Sequence, residues 1–143
     1  MITSRSLDDL ILPVAERARQ LVDVCYMQGI ELIIASTYRD IEAQDHLYTQ
    51  GRVIPGQIVT HTKPGNSWHN WKRAFDIIPL KNGKPVTSIR GHEKDIWMQI
   101  GELGMELGLE WGGSWPRHPE YDHFQDRTGK TLYLLKKEAG LID

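Results

Sequence analysis

The chain has 143 residues, with 17 Lys+Arg against 19 Asp+Glu for a formal net charge of -2, and is 40% hydrophobic and 25% charged. That composition suits one globular domain that buries a core without disulfide staples, and it excludes a low-complexity or repetitive chain. The balanced charge carries no footprint for nucleic acid or an anionic membrane, and no apolar run approaches the roughly 18 residues of a membrane span.

Ser6 with Asp9 reads as a helix N-cap and its acidic third residue, and Leu7, Leu10, Ile11, Val14, Ala18, Leu21, Val22 and Cys25 then recur at helical spacing until Gly29. Cys25, the single cysteine, has no partner for an internal disulfide and sits in that stripe as a small hydrophobe. Pro13 inside it predicts a kink or a split. A β-branched run over 31–36 predicts a strand, and 40–50 a helix closed by Gly51. Residues 51–70 hold Gly51, Pro55, Gly56, Pro64, Gly65 and Asn66, a long irregular loop of the kind that exists for function. A strand follows over 74–80, with Asn82-Gly83 as a hairpin turn into Pro85 and Val86. Residues 92–107 predict a helix with Ile96, Trp97, Ile100, Leu103 and Leu107 on one stripe, weakened by Gly101 and Gly104. Short strands over 109–111 and 121–125 flank a Gly/Pro loop, and 130–139 forms a closing helix ended by Gly140. Helices segregated from a small, mainly antiparallel sheet make the class α+β, with the helices packed on one face.

In the 74–78 strand, period-two alternation sends Phe75 and Ile77 to one face and Asp76 to the other. In 121–125, Phe124 likewise takes the core and His123 points away. With His69 at the end of the long loop, the set is two imidazoles and one carboxylate, the N/O donor set of a catalytic zinc with a fourth position for water. Glu120, three residues before His123, is the candidate general base, and Asp122 competes with it. The plainer reading of His69 and Asp76 is a hydrogen-bonded pair in a loop, and spacing alone leaves both open.

Several stretches together resemble one family. Ser67-x-His69-x-x-Lys72-x-Ala74-x-Asp76 is similar to the S-x-H-x-x-G-x-A-x-D signature of VanY-like D-alanyl-D-alanine carboxypeptidases and of phage endolysins that are L-alanyl-D-glutamate peptidases. Glu110-Trp-Gly-Gly-Ser-Trp115 and Glu120-x-x-His123-Phe-Gln125 resemble their E-W-G-G-x-W and D/E-x-x-H-F-Q segments. Ser36-Thr-Tyr-Arg39, then Gln44, Leu47, Tyr48 and Gly51, resemble S-x-Y-R and Q-x-x-L-Y-x-x-G, and 60–70 is similar to T-x-x-x-P-G-x-S-x-H-N. The motifs run in family order from about residue 6 to 126.

The resemblance implies one zinc per chain on His69, Asp76 and His123, in a cleft on the sheet face opposite the helices. It makes Glu120 the base and Arg39 the cation on the scissile carbonyl, with Ser67 and Gln44 as substrate-contacting or supporting groups. The plain alternative for Arg39 is a salt bridge to Asp40 or Glu42, and for Ser67 and Gln44 a turn serine and an exposed helix glutamine. The family glycine is Lys72 here, so the backbone there is expected to avoid positive φ. The five tryptophans are assigned mostly to packing, and His61 and His118 to solvent.

The expected activity is zinc-dependent hydrolysis of an amide bond in peptidoglycan stem peptides, foremost L-Ala-D-Glu cleavage by a monomeric phage endolysin. D-Ala-D-Ala carboxypeptidase or dipeptidase activity is the alternative, and a non-catalytic wall-peptide-binding module a further one, disfavoured by the retained ligands and Glu120. The N-terminus lacks the apolar core of a signal peptide, which fits synthesis in a host cytoplasm and action on the wall after release. Asp143 lies 20 positions after His123, so one catalytic domain over 1–143 without a separate wall-binding domain is expected.

Overall fold

The computed structural model describes residues 1–143. The first helical stripe is split, and Pro13 explains where. Leu7–Asp9 form a 3-10 turn capped by the Ser6 hydroxyl, and helix α1 (Leu12–Met27) then starts afresh with Pro13 in its first turn, where a missing N–H costs nothing. Strand β1 (Ile30–Ser36) leads to helix α2 (Ile41–Thr49), whose N-terminus is closed by the Asp40 carboxylate accepting from Ala43 N at 2.8 Å. The long loop ends in a 3-10 turn, Trp68–Trp71.

Strand β2 (Ala74–Lys81) turns through Asn82-Gly83, both at positive φ, into the two-residue strand β3 (Lys84–Pro85). Helix α3 (Gly91–Glu106), strand β4 (Glu110–Trp111), strand β5 (His123–Gln125) and helix α4 (Leu132–Glu138) complete the chain. β5 is shorter than the alternation suggests because residues 120–123 turn, with His123 N donating to Glu120 O at 3.3 Å. No helix is long and apolar enough to cross a membrane.

The sheet is antiparallel throughout, in the order β1-β2-β5-β4 with β3 on the far end of β2. α1 and α3 cover one face. Val14, Ala18 and Leu21 of α1 and Ile96 and Ile100 of α3 pack on Ile30, Phe75, Ile77 and Phe124. Each of the larger of these side chains, fully buried, contributes about 1.5–3 kcal/mol. Gly101 and Gly104 are what let α3 approach this closely. A Cβ on Gly101 would stand 2.3 Å from the Trp111 ring, and one on Gly104 2.4 Å from Phe124. On the opposite face α4 joins a smaller cluster, Leu135 packing with Trp68 and Ala74.

Strand β1 carries one irregularity, near its C-terminal end. Ile34 stands opposite Ile77, but Ser36 stands opposite Asp76, so the pairing shifts across Ala35. The extra residue is a β-bulge, and it turns Ser36 from the core face to the face that carries Asp76.

Candidate active site

Antiparallel pairing of β2 with β5 sets Asp76 directly opposite His123. Phe75 and Phe124, the neighbours on the other face, stack at 5.6 Å in the core and hold that register. His69 comes from the 3-10 turn. Ser67 caps the turn, its hydroxyl accepting from His69 N at 3.3 Å, while the Asn70 side-chain Oδ1 accepts from Ser67 N at 3.3 Å. Asn70 also donates to Arg39 O at 2.9 Å, tying the turn to the end of β1.

The turn ends at Lys72 with φ 60° and ψ 32°, squarely left-handed. The expectation that a lysine in place of the family glycine keeps the backbone out of positive φ is therefore wrong. The turn's closing geometry imposes the conformation, and Lys72 adopts it with its ammonium 4.8 Å over the Tyr38 ring rather than in the cleft.

His69 Nε2 lies 3.2 Å from Asp76 Oδ1, and His123 Nδ1 lies 3.0 Å from the same oxygen. One atom from each of the three residues falls within 4.8 Å of the others. The outer nitrogens are committed elsewhere: His69 Nδ1 to the Thr37 carbonyl at 2.7 Å, and His123 Nε2 to the Gln125 side-chain oxygen at 2.7 Å. Both partners only accept, so each ring donates outward and turns a lone pair inward, toward a carboxylate. Two lone pairs and an anion facing one another need positive charge between them. Neighbouring ligands of a tetrahedral ion at about 2.0–2.1 Å stand about 3.3 Å apart, so the two imidazole–carboxylate separations suit a divalent cation.

The local electrostatics agree. Burial pushes the Asp76 carboxyl up, but hydrogen bonds from His123 and His69 outweigh it and hold it far below the usual carboxylate range. Burial pushes His123 down, yet Asp76 leaves its pKa raised. Without an ion, a proton takes the place between them.

Arg39 is half-buried. Its Nη1 donates to Gln44 Oε1 at 3.0 Å and its Nη2 reaches Ser36 Oγ at 3.5 Å, while Nε is buried without a partner. Burial lowers its pKa against the opposing charge of Asp76, although a guanidinium stays charged in any protein. No ion pair with Asp40 or Glu42 forms. Gln44, fully buried, donates to Thr62 O at 2.8 Å.

Arg39, Gln44, Ser67, His69, Asp76, Glu120 and His123, the seven residues to which the resemblance gives a role, all line one cleft of about 330 Å³. Asp122 does not line it. Glu120 is held by its backbone, its N donating to Gly112 O at 3.0 Å. A second groove shares Val59, Thr60, Thr62 and Glu120 with the first and runs out past His61 and His118, both exposed. Of the tryptophans, Trp68, Trp97 and Trp111 are buried, while Trp115 stands 5.4 Å from the His123 ring on the cleft wall.

The family described as D-alanyl-D-alanine carboxypeptidase, a group of M15 peptidases, matches residues 60–126. The chain is 32% identical over 134 residues to the peptidoglycan L-alanyl-D-glutamate endopeptidase CwlK of Bacillus subtilis (strain 168), spanning 86% of this chain and 80% of CwlK. The chain belongs to this peptidase family. Two solved structures share the fold. The L-Ala D-Glu endopeptidase ChiX of Serratia marcescens superimposes with a TM-score of 0.56 at 20% identity, over 87% of each chain. The D,D-pentapeptidase VanY of a VanB-type resistance cassette, solved in complex with Zn(II), gives 0.55 at 18% identity, over 81% of this chain and 71% of VanY.

Some groups in this peptidase's site carry no assignment from sequence. Gln125 and Glu110 back His123, Asn70 fastens the turn to Arg39, and the Thr37 carbonyl orients His69. Glu110 and Gln125 belong to motifs that were legible. Their roles were not, because both depend on the β4–β5 register. The Thr37 carbonyl leaves no mark on side-chain identity at all.

Proposed function

We propose that the protein is a zinc-dependent endopeptidase cutting the L-alanyl-D-glutamate bond of peptidoglycan stem peptides. The identity with CwlK, 32% over 134 residues, carries the reading. The outer groove past Glu120 supports it, since an endopeptidase needs room for its substrate on both sides of the scissile bond. Residues 1–143 are read as one catalytic domain, acting as a monomer.

His69 Nε2, Asp76 Oδ1 and His123 Nδ1 would hold the zinc, a ligand set that leaves a position open, and VanY's complex with Zn(II) supports that choice. Bound there, the ion supplies a polarised substrate carbonyl and an acidified water. Glu120 takes the proton from the attacking water and returns it to the leaving amine as the C–N bond breaks. The Arg39 guanidinium donates to the oxygen that gains charge, and Gln44 and Ser36 keep it aimed. Ser67 holds the turn that presents His69.

The setting we propose is host lysis by a phage endolysin, supported by the motif resemblance to that group. Expression beside a membrane-pore protein is expected to lyse the cell, and intact cells would move the role to wall remodelling. The bond itself is tested by digesting purified peptidoglycan with and without a chelator and identifying new termini by mass spectrometry. New N-terminal D-Glu is expected. Released D-Ala would replace the reading with a carboxypeptidase, and no chelator-sensitive product would sink both.

A further inference from the structure

Behind His123 lies a chain of side chains that ends on a carboxylate. β4 pairs with β5 so that Glu110 stands opposite Gln125. The Gln125 amide, 2% exposed, donates from Nε2 to Glu110 Oε2 at 2.5 Å, and its Oε1 sits 2.7 Å from His123 Nε2. Arg127 closes the chain from outside, its Nε 3.2 Å from Glu110 Oε1 and its Nη2 3.4 Å from Oε2.

A primary amide has two faces that differ only in which one donates, and on its own Gln125 offers His123 either. Glu110 removes the choice. Ionised and paired with Arg127, it only accepts, so Gln125 must turn its NH2 toward Glu110 and its oxygen toward the imidazole. His123 then carries its proton on Nε2, and the lone pair falls on Nδ1, the atom facing Asp76. We infer that Glu110, acting through Gln125, is a positioning residue that fixes the tautomer of His123 and thereby the cation affinity of the cleft.

The two imidazoles are set in different ways. His69 donates to a backbone carbonyl, that of Thr37, which no substitution can turn round. His123 depends on two side chains, one of them 13 positions away in sequence at Glu110. The carboxylate also places negative charge behind the ring, which strengthens Nδ1 as a donor to metal.

The inference rests on the zinc reading of the cleft but not on which peptide bond is cut. Glu110→Gln is nearly isosteric, yet it removes the charge and supplies a group that can itself donate, freeing the Gln125 amide to reverse. Measured on the full chain with Zn2+ alone, by competition with a chromophoric chelator, its affinity is expected to fall about 10–100-fold. Side-chain 15N shifts of His123, read in the metal-free protein at alkaline pH, are expected to show protonated Nε2 in the wild type and a mixture in the variant. An affinity within twofold of wild type, with Nε2–H retained, would overturn the inference. If the variant fails to fold, the wild type still decides: zinc on Nε2 of His123, or a metal-free Nδ1–H tautomer, refutes it. A wild type that binds no zinc yet keeps Nε2–H would sink the zinc reading and, with it, the claim on affinity.

Discussion

Asp76 and His123 lie 47 residues apart in sequence and directly opposite each other across β2 and β5, with Oδ1 and Nδ1 3.0 Å apart. Neither can point elsewhere while Phe75 and Phe124 stay in the core, because a strand shifted by one residue exchanges its faces. Each cleft residue beside them thus acts on a centre whose position the hydrophobic core determines.

Glu120→Gln is expected to retain zinc while lowering kcat by about 10²–10⁴-fold, the usual contribution of a positioned general base. Asp122→Asn, at a residue that does not line the cleft, is expected to keep most of the activity. His123→Ala should lose metal and turnover together. Metal analysis beside a peptide-release assay separates these outcomes, and an Asp122→Asn variant as impaired as Glu120→Gln would reverse the assignment of the base.

The metal-free and zinc-loaded proteins are expected to respond to pH in opposite directions. His123 is raised in the folded state, so its contribution is complete below the unfolded imidazole value of about 6.5 and is lost as pH rises through the folded value. Asp76 is depressed, so its contribution is present above about 3.9 and disappears only as pH falls through the folded value. The stabilisation that this pair gives the chelated protein should therefore be complete between roughly pH 4 and 6.5 and fall as pH rises through the folded value of His123. Zinc needs neutral imidazoles, so its stabilisation should grow over that same rise. Thermal melts in EDTA and in excess zinc across pH 5–8 make the comparison, and parallel curves would contradict it.

Gly104→Ala is expected to destabilise by about 1–3 kcal/mol, although alanine is the better helix former by about 1 kcal/mol. The added methyl would stand 2.4 Å from Phe124 Cε1, and Phe124 cannot retreat without disturbing the strand that carries His123. Urea denaturation reads the loss, and a neutral or stabilising result would mean the helix can lift off the sheet at little cost.

At position 72 the left-handed backbone costs a non-glycine residue roughly 1–2 kcal/mol, with β-branched residues worst placed. Lys72→Val should lose about that much, whereas Lys72→Gly should not, since relief of strain offsets the lost contact with Tyr38. Neither should change the substrate preference, because the lysine does not line the cleft. A shifted preference in Lys72→Gly would place the ammonium in the substrate path.

Much of this protein was legible in its residues because local periodicity and core packing point the same way. Phe75, Asp76 and Ile77 alternate in sequence as they do in the sheet, and Pro13 marks the break before α1. What stayed hidden is set by contacts between distant segments. The bulge at Ala35 that delivers Ser36 to Arg39 is a matter of register, not of composition. Gly101 and Gly104 read as weaknesses of a helix until Trp111 and Phe124 are seen against them. Lys72 misled for the converse reason, since a residue's own preference was outweighed by the turn that it closes.

Gln44 accepts from Arg39 with one end of its amide and donates to the carbonyl of Thr62 with the other. The guanidinium is thus strung to the loop that forms the cleft's outer wall. Should that wall swing away, the amide loses one anchor and the cation its brace; when the wall is seated, both are restored. A peptide that presses the 59–62 segment into place would therefore tighten Arg39 from a distance. A peptide too short to reach it leaves the arginine slack, which makes the length of the occupant, and not only its chemistry, something the cleft can weigh.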